Sequence, residues 1–191
     1  MKIFFIFLFL IFSFQLPTKA DDIRDFKIGD MSIGDSLLSY FSESFISNKK
    51  KLYYSGSKEF FIISFKSKDE SYDVIQTSVT NDDKYIINSI AGKILYKNEF
   101  KKCLKKVDSI VDDLKKTLPE DVERQNSELY KMPSDPTGKS VNDGVTFWFP
   151  NEDYIAVECT DWSDEMDYQD NLKIRFTTKF YNDWLLNEAH K

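Results

Sequence analysis

Two cysteines, one histidine and a run of carboxylates make up most of the reactive chemistry in this chain of 191 residues. His190 is the only histidine and stands one residue from the C-terminus, where chain ends fray. A Ser-His-Asp or Cys-His arrangement therefore lacks its general base. The run Asp161, Asp164, Glu165, Asp167 and Asp170 has the oxygen density that calcium needs, but Met166 stands where an EF-hand loop requires Gly and Leu172 where it requires the bidentate Glu. A solvated acidic loop is the expectation. Gly29 to Ser36 fits the spacing of a phosphate loop, with Asp35 in place of the essential lysine, so its charge repels the ligand such a loop exists to hold. Cys103 and Cys159 have no Cys-x-x-Cys spacing and no His neighbours, which argues against redox and zinc roles and leaves a disulfide as the natural reading.

One constellation depends on strand geometry. Asn171 to Thr177 alternates, with Leu172, Ile174 and Phe176 on one side and Lys173, Arg175 and Thr177 on the other. If Val145, Phe147 and Phe149 share a core with Ile155, Val157 and Cys159, the hairpin between them must have an odd loop. Three residues, Pro150 to Glu152, satisfy this and set Trp148 opposite Tyr154. Trp148, Tyr154, Glu158, Lys173 and Arg175 then lie side by side on the outer face of the sheet. Aromatic rings beside an arginine suit a recognition surface, so these five are the candidate ligand-binding residues. Trp162 reads as a plug at the edge of the core.

The elements that would position them follow from periodicity. A helix is expected from Ser32 to Asn48, with Leu37, Leu38, Phe41, Phe45 and Ile46 as its apolar stripe and Ser32 and Asp35 as a variant capping box. Strands are expected at 52–65, 71–80 and 84–96. Asn98 should cap an amphipathic helix carrying Phe100, Leu104, Val107, Val111, Leu114 and Leu118, ended by Pro119. Residues 120–142 are polar and without a sustained period, and read as a long connection that serves as a lid or a linker between halves. Strands at 145–149, 154–160 and 171–177 follow. Thr178 then caps a short helix with Phe180, Trp184 and Leu185 inward. The expectation is an α+β domain of two consecutive helix-plus-antiparallel-meander units packed together, with halves at about 21–97 and 98–191 and a closing helix.

Composition and the N-terminus bound the function. Lys2, an apolar run from Ile3 to Phe12 that fades through Leu16, and Thr18-Lys19-Ala20 form a secretory signal with cleavage expected after Ala20, residues 1–20 being lost. No integral membrane span is then expected in the mature chain. Without Lys2 and Lys19, 24 basic residues face 32 acidic ones, a net charge of −8, which argues against a nucleic-acid partner. An oxidising compartment, the periplasm or the cell exterior, favours the disulfide.

The element order is similar to that of small periplasmic binding and inhibitor domains, the β-lactamase-inhibitor type among them. Gly34-Asp35-Ser36-Leu37-Leu38, the strand ending in Tyr96, Cys103 on the next helix and Cys159-Thr160-Asp161-Trp162 together resemble exported proteins of unknown function from marine bacteria. That resemblance covers nearly the whole mature chain and implies no activity. The functional expectation is an exported binding or interaction protein of the cell envelope, with an envelope protein or a small ligand as partner and no cofactor. The alternative is a secreted hydrolase using a carboxylate pair.

Overall fold

The computed structural model describes residues 20–68, 70–97 and 99–191. The expected secretory signal, apart from Ala20, and the expected cap Asn98 lie outside the described residues. Eight strands form one antiparallel sheet: β1 (Phe60–Lys66), β2 (Val74–Thr80), β3 (Ile87–Leu95), β4 (Glu123–Asn126), β5 (Tyr130–Lys131), β6 (Val141–Trp148), β7 (Tyr154–Asp161) and β8 (Asn171–Thr177). Their order across the sheet is β1-β2-β3-β8-β7-β6-β4, with β5 also on β6. Among the described residues three α-helices accompany them, α1 (Glu43–Asn48), α2 (Phe100–Thr117) and α3 (Lys179–Asn187). The architecture is α+β and mostly sheet. The expected halves are continuous in it: β3 pairs with β8, from Ser89 opposite Thr177 to Leu95 opposite Asn171.

One face of the sheet carries the main core. Phe61, Ile63 and Phe65 of β1, Ile75 and Val79 of β2, Ile155, Val157 and Cys159 of β7, and Leu172 and Phe176 of β8 are buried there. The alternation breaks once, in β3, where the register shifts between Ser78 and Val79. Asn88 is the extra residue of this bulge, so Ile87 and Ile90 reach the same core although three positions apart. Over this face, α2 lies across β6 and β7 and buries Cys103, Val107 and Val111. The Cys103–Cys159 disulfide joins α2 to β7, with the two Cα atoms 6.0 Å apart. The N-terminal segment supplies the rest of the cover with Ile23, Ile28, Met31, Ile33 and Leu37, and Phe26 sets its ring 5.8 Å from that of Phe176.

The single helix expected from Ser32 to Asn48 is not formed. Its sequence is divided into a 3-10 turn at Leu37–Ser39, capped by Ser36, and the six-residue α1, capped by Ser42. Gly34 has φ +89°, outside the helical region. The backbone around it is also drawn elsewhere: Gly34 N and Ile87 O, Ile87 N and Asp35 O, and Leu37 N and Tyr85 O pair at 2.9–3.1 Å. Docking onto the start of β3 thus overrides the apolar stripe, and Ser32 and Asp35 close a turn, with the Ser32 amide donating to the Asp35 carboxylate.

The 120–142 connection is likewise more ordered than its polarity suggests. It returns along β6 as β4 and β5, whose residues are all exposed. Its loop is then pinned by Asp135, buried, which accepts from Ser140 N at 2.8 Å, Ser140 Oγ at 2.6 Å, Thr137 N at 2.8 Å and Ser163 Oγ at 2.9 Å. Burial works against ionisation of this carboxyl, but the hydrogen bonds from Ser140 and Thr137 prevail and hold it well below the usual carboxylate range.

On the opposite face, α3 packs Tyr181, Trp184 and the following Ala189 against Phe60. Thr178 caps it, accepting from Tyr181 N, as expected. Phe180, expected inward, is 59% exposed, and Tyr181 takes the inward position.

The disulfide closes 56 residues of chain. Replacing both Cys103 and Cys159 by Ala is expected to lower unfolding stability by about 4 kcal/mol, the chain-entropy value for such a loop. Denaturant melts of the oxidised and variant proteins, with a free-thiol count on the former, check this, and two reactive thiols in the unreduced protein contradict it.

Candidate functional site

The face opposite α2 is built from rows of residues that run across the strands. Lys93, Lys173, Glu158 and Gly144 are register partners in successive strands β3, β8, β7 and β6. The next row is Ala91, Arg175, Ala156 and Thr146, and the third is Ser89, Thr177, Tyr154 and Trp148. All five residues expected to share this face do so, and the hairpin between β6 and β7 has the register that face parity requires, with Trp148 opposite Tyr154.

The two rings have local partners. Trp148 and Tyr154 lie 4.7 Å apart at 49°, and Trp148 Nε1 donates to Gln125 Oε1 of β4 at 3.0 Å. Tyr154 is buried, with the Arg175 guanidinium 5.5 Å from its ring centroid. Small residues make room for the charges. A side chain at Gly144 would place its Cβ 2.3 Å from the Val157 carbonyl oxygen and 2.8 Å from Glu158 Cβ, so glycine here permits the close approach of β7.

Charge is the distinctive feature of this face. Glu158 pairs with Lys173 at 2.6 Å and, more loosely, with Arg175 at 3.7 Å. Burial would raise its carboxyl, but Lys173 and Arg175, then Lys93, outweigh that and lower it to about 2. Three cations therefore share one carboxylate. Lys93 bears the consequence: burial first, then repulsion by Lys173, partly offset by the pull of Glu158 and with a smaller push from Arg175, lowers it to about 8. Arg175 Nε is buried and has no hydrogen-bond partner among the described residues.

Two hollows flank Lys173. The larger is an open cleft of about 600 Å³ between Lys93 and Lys173 on its floor and Met132, Trp162 and Tyr168 along its wall, with Asp167 at the rim. Trp162 and Tyr168 meet edge to face at 4.9 Å. The smaller, about 70 Å³, lies beneath α3 and is lined by Arg175, Ser78, Ser89 and Tyr181. It has room for water but not for a ligand of ordinary size.

The cleft corrects the emphasis of the sequence reading. Trp162 is half-buried and faces a cavity beside the 61%-exposed Tyr168, and Lys93, not singled out before, forms part of the floor. Its signal was visible as a lone cation in the otherwise uncharged run Ile87–Leu95. The acidic run contributes two perturbed groups: Asp161, raised by burial first and then by Asp170 and Asp164, and Glu165, lowered first by its hydrogen bond from Lys139. Asp170 accepts from the Trp162 amide at 2.8 Å and so braces the cleft wall. Among the described residues, no three His, Cys, Asp or Glu side chains are placed to hold a metal ion.

Comparison with protein-family models, curated proteins and solved structures finds no match to this chain.

Removing the shared carboxylate leaves three cations facing one another. Glu158→Gln is expected to destabilise the protein by about 3 kcal/mol at pH 7, in the range for breaking a buried pair. Because its folded pKa lies below the ordinary Glu value near ~4.3, the wild-type advantage is complete above that value and is lost as pH falls toward about 2. Urea melts at several pH values check both statements.

Lys93 has the opposite sign. Its folded pKa is below that of a free lysine, so between about pH 8 and the ordinary lysine value the unfolded chain binds the extra proton and stability rises with pH. Lys93→Met is accordingly expected to raise the melting temperature at pH 7, and a lower value would contradict the electrostatic account.

Proposed function

We propose that this is an exported binding protein of the cell envelope that holds a small anionic ligand, carboxylate- or phosphate-bearing, in the cleft over Lys93 and Lys173. The observation that carries the reading is the juxtaposition of these two lysines at paired positions of neighbouring strands, on the floor of an open cleft, with the neighbouring Glu158 already claimed by Lys173 and Arg175. A ligand oxyanion between the two ammonium groups relieves the repulsion that lowers Lys93, so binding strengthens where the empty protein is electrostatically unfavourable. Trp162, Tyr168 and Met132 offer an apolar wall for the remainder of the ligand. Trp148 and Tyr154 extend the same face, Tyr154 by holding Arg175.

Binding is preferred to the hydrolase alternative because the paired charges on the cleft floor are cations, and Glu158 is locked in an ion pair that keeps it ionised. The secretory signal, the disulfide and the absence, among the described residues, of any helix long and apolar enough to cross a membrane all accord with an exported chain. The resemblance to exported proteins of marine bacteria points the same way.

Tryptophan fluorescence tests the cleft. Titration with inorganic phosphate, citrate and benzoate at pH 6.5 is expected to give a saturable signal for at least one of them, weakened tenfold or more in Lys93→Gln. Affinity is expected to decline as pH rises beyond about 8, where Lys93 loses its proton. No saturable change across the set, or one indifferent to Lys93→Gln, counts against the reading. Export is checked separately by the mass of the protein recovered from its native host, which is expected to begin at Asp21.

A further inference from the structure

On the α2 side of the sheet, the face opposite the lysine cleft, the division of the expected N-terminal helix creates a second cavity. The 3-10 turn and α1 turn Phe41 and Phe45 toward the β1 end of the sheet, where their rings stack at 4.6 Å and 11°, and Phe41 meets Phe65 edge to face at 4.8 Å. Beside them a pocket of about 480 Å³ opens, walled by these rings with Met31, Tyr40 and Ile75. That volume is within the range of small-molecule sites, and the wall is apolar and aromatic.

Its rim is charged in one sense. Lys49, Lys66 and Lys68 surround the mouth, with Asp30 as the single carboxylate among the described lining residues. Among the described residues no carboxylate oxygen forms an ion pair with any of the three lysines, whereas the lysines elsewhere in the sheet and helices are paired repeatedly. Two of the three are placed by the pocket's own rings: Lys49 Nζ lies 4.8 Å from the Phe45 centroid and Lys68 Nζ 5.6 Å from that of Phe41. The nearby Asp35 carboxylate accepts from Tyr40 Oη at 2.5 Å and from Ser32 N at 2.9 Å, and is engaged by them. In a chain with net charge −6, an apolar cavity ringed by cations is complementary to one kind of molecule, an anion with a hydrocarbon body.

We infer that the pocket between the Phe41–Phe45 pair and β1 binds an amphipathic carboxylate of the fatty-acid class, its chain lying against Phe41, Phe45, Phe65 and Ile75 and its head group at Lys49, Lys66 and Lys68. Burial of hydrocarbon supplies the affinity, and the lysines select the sign of the head group.

Calorimetric titration of the purified protein with octanoate, decanoate and dodecanoate, each below its micelle concentration, tests the site. The expected result is saturable one-to-one binding that tightens about fourfold for each added methylene until the cavity is filled. Lys66→Glu with Lys68→Glu, both at exposed positions, is expected to weaken decanoate at least tenfold while leaving the melting temperature in place. Lys93→Gln is expected to leave decanoate binding unchanged, which separates this pocket from the anion cleft. Ile75→Trp fills the cavity and is expected to abolish binding; should that variant fail to fold, the charge reversal alone decides. Absence of saturable binding, equal affinity for decyltrimethylammonium, or full binding by the charge-reversed variant would each overturn the inference.

Discussion

The backbone pairing of β3 with β8 brings together residues some eighty positions apart in sequence, and most of what is distinctive in this protein follows from it. Lys93 and Lys173 become neighbours through that ladder, as do Ala91 and Arg175. The sheet could not tolerate three adjacent cations without a counter-charge, and the next strand provides it at the paired position, where Glu158 lies opposite Lys173. Gly144, one strand further, then clears the space that Glu158 and its backbone occupy. Each row position is thus conditioned by the one before it, and the charged face is a property of the assembled sheet, not of any single strand.

The two faces are stabilised by different physics. The α2 side is a hydrophobic core with a disulfide at its centre, and its energy comes from apolar area removed from water. The other side is partly covered by α3 through an aromatic cluster of Phe60, Tyr181 and Trp184, and is otherwise polar. A low-dielectric core lies directly beneath the charged rows, which strengthens the pairing of Glu158 and the mutual repulsion of the lysines alike. This is why Glu158 and Lys93 are shifted while most exposed charges on the helices are paired without structural consequence.

Much of this was legible in the sequence, and the reasons differ by element. Strand β8 and the β6–β7 hairpin were readable because strict alternation and a three-residue loop leave one register. Helix α2 was readable because its apolar stripe is uninterrupted and Pro119 stops it. The Ser32–Asn48 segment misled because its stripe is real while its backbone hydrogen bonds go to β3, and periodicity is blind to long-range pairing. The 120–142 connection misled in the other direction: the exposed strands β4 and β5 hold few apolar residues, so they carry no alternation to detect. For the site, face parity located Trp148, Tyr154, Glu158, Lys173 and Arg175 together. Lys93 escaped because its place depends on the bulge at Asn88 and on a partner strand from the far end of the chain.

The strand at the middle of the sheet is the last one to be synthesised. Two meanders, β1-β2-β3 and β4 through β7, precede it, and each presents an open edge until residues 171–177 arrive between them. A polypeptide that emerges amino end first cannot complete this sheet until residues 171–177 have emerged. Closure therefore works as a built-in delay, holding both faces incomplete until the central strand is in place.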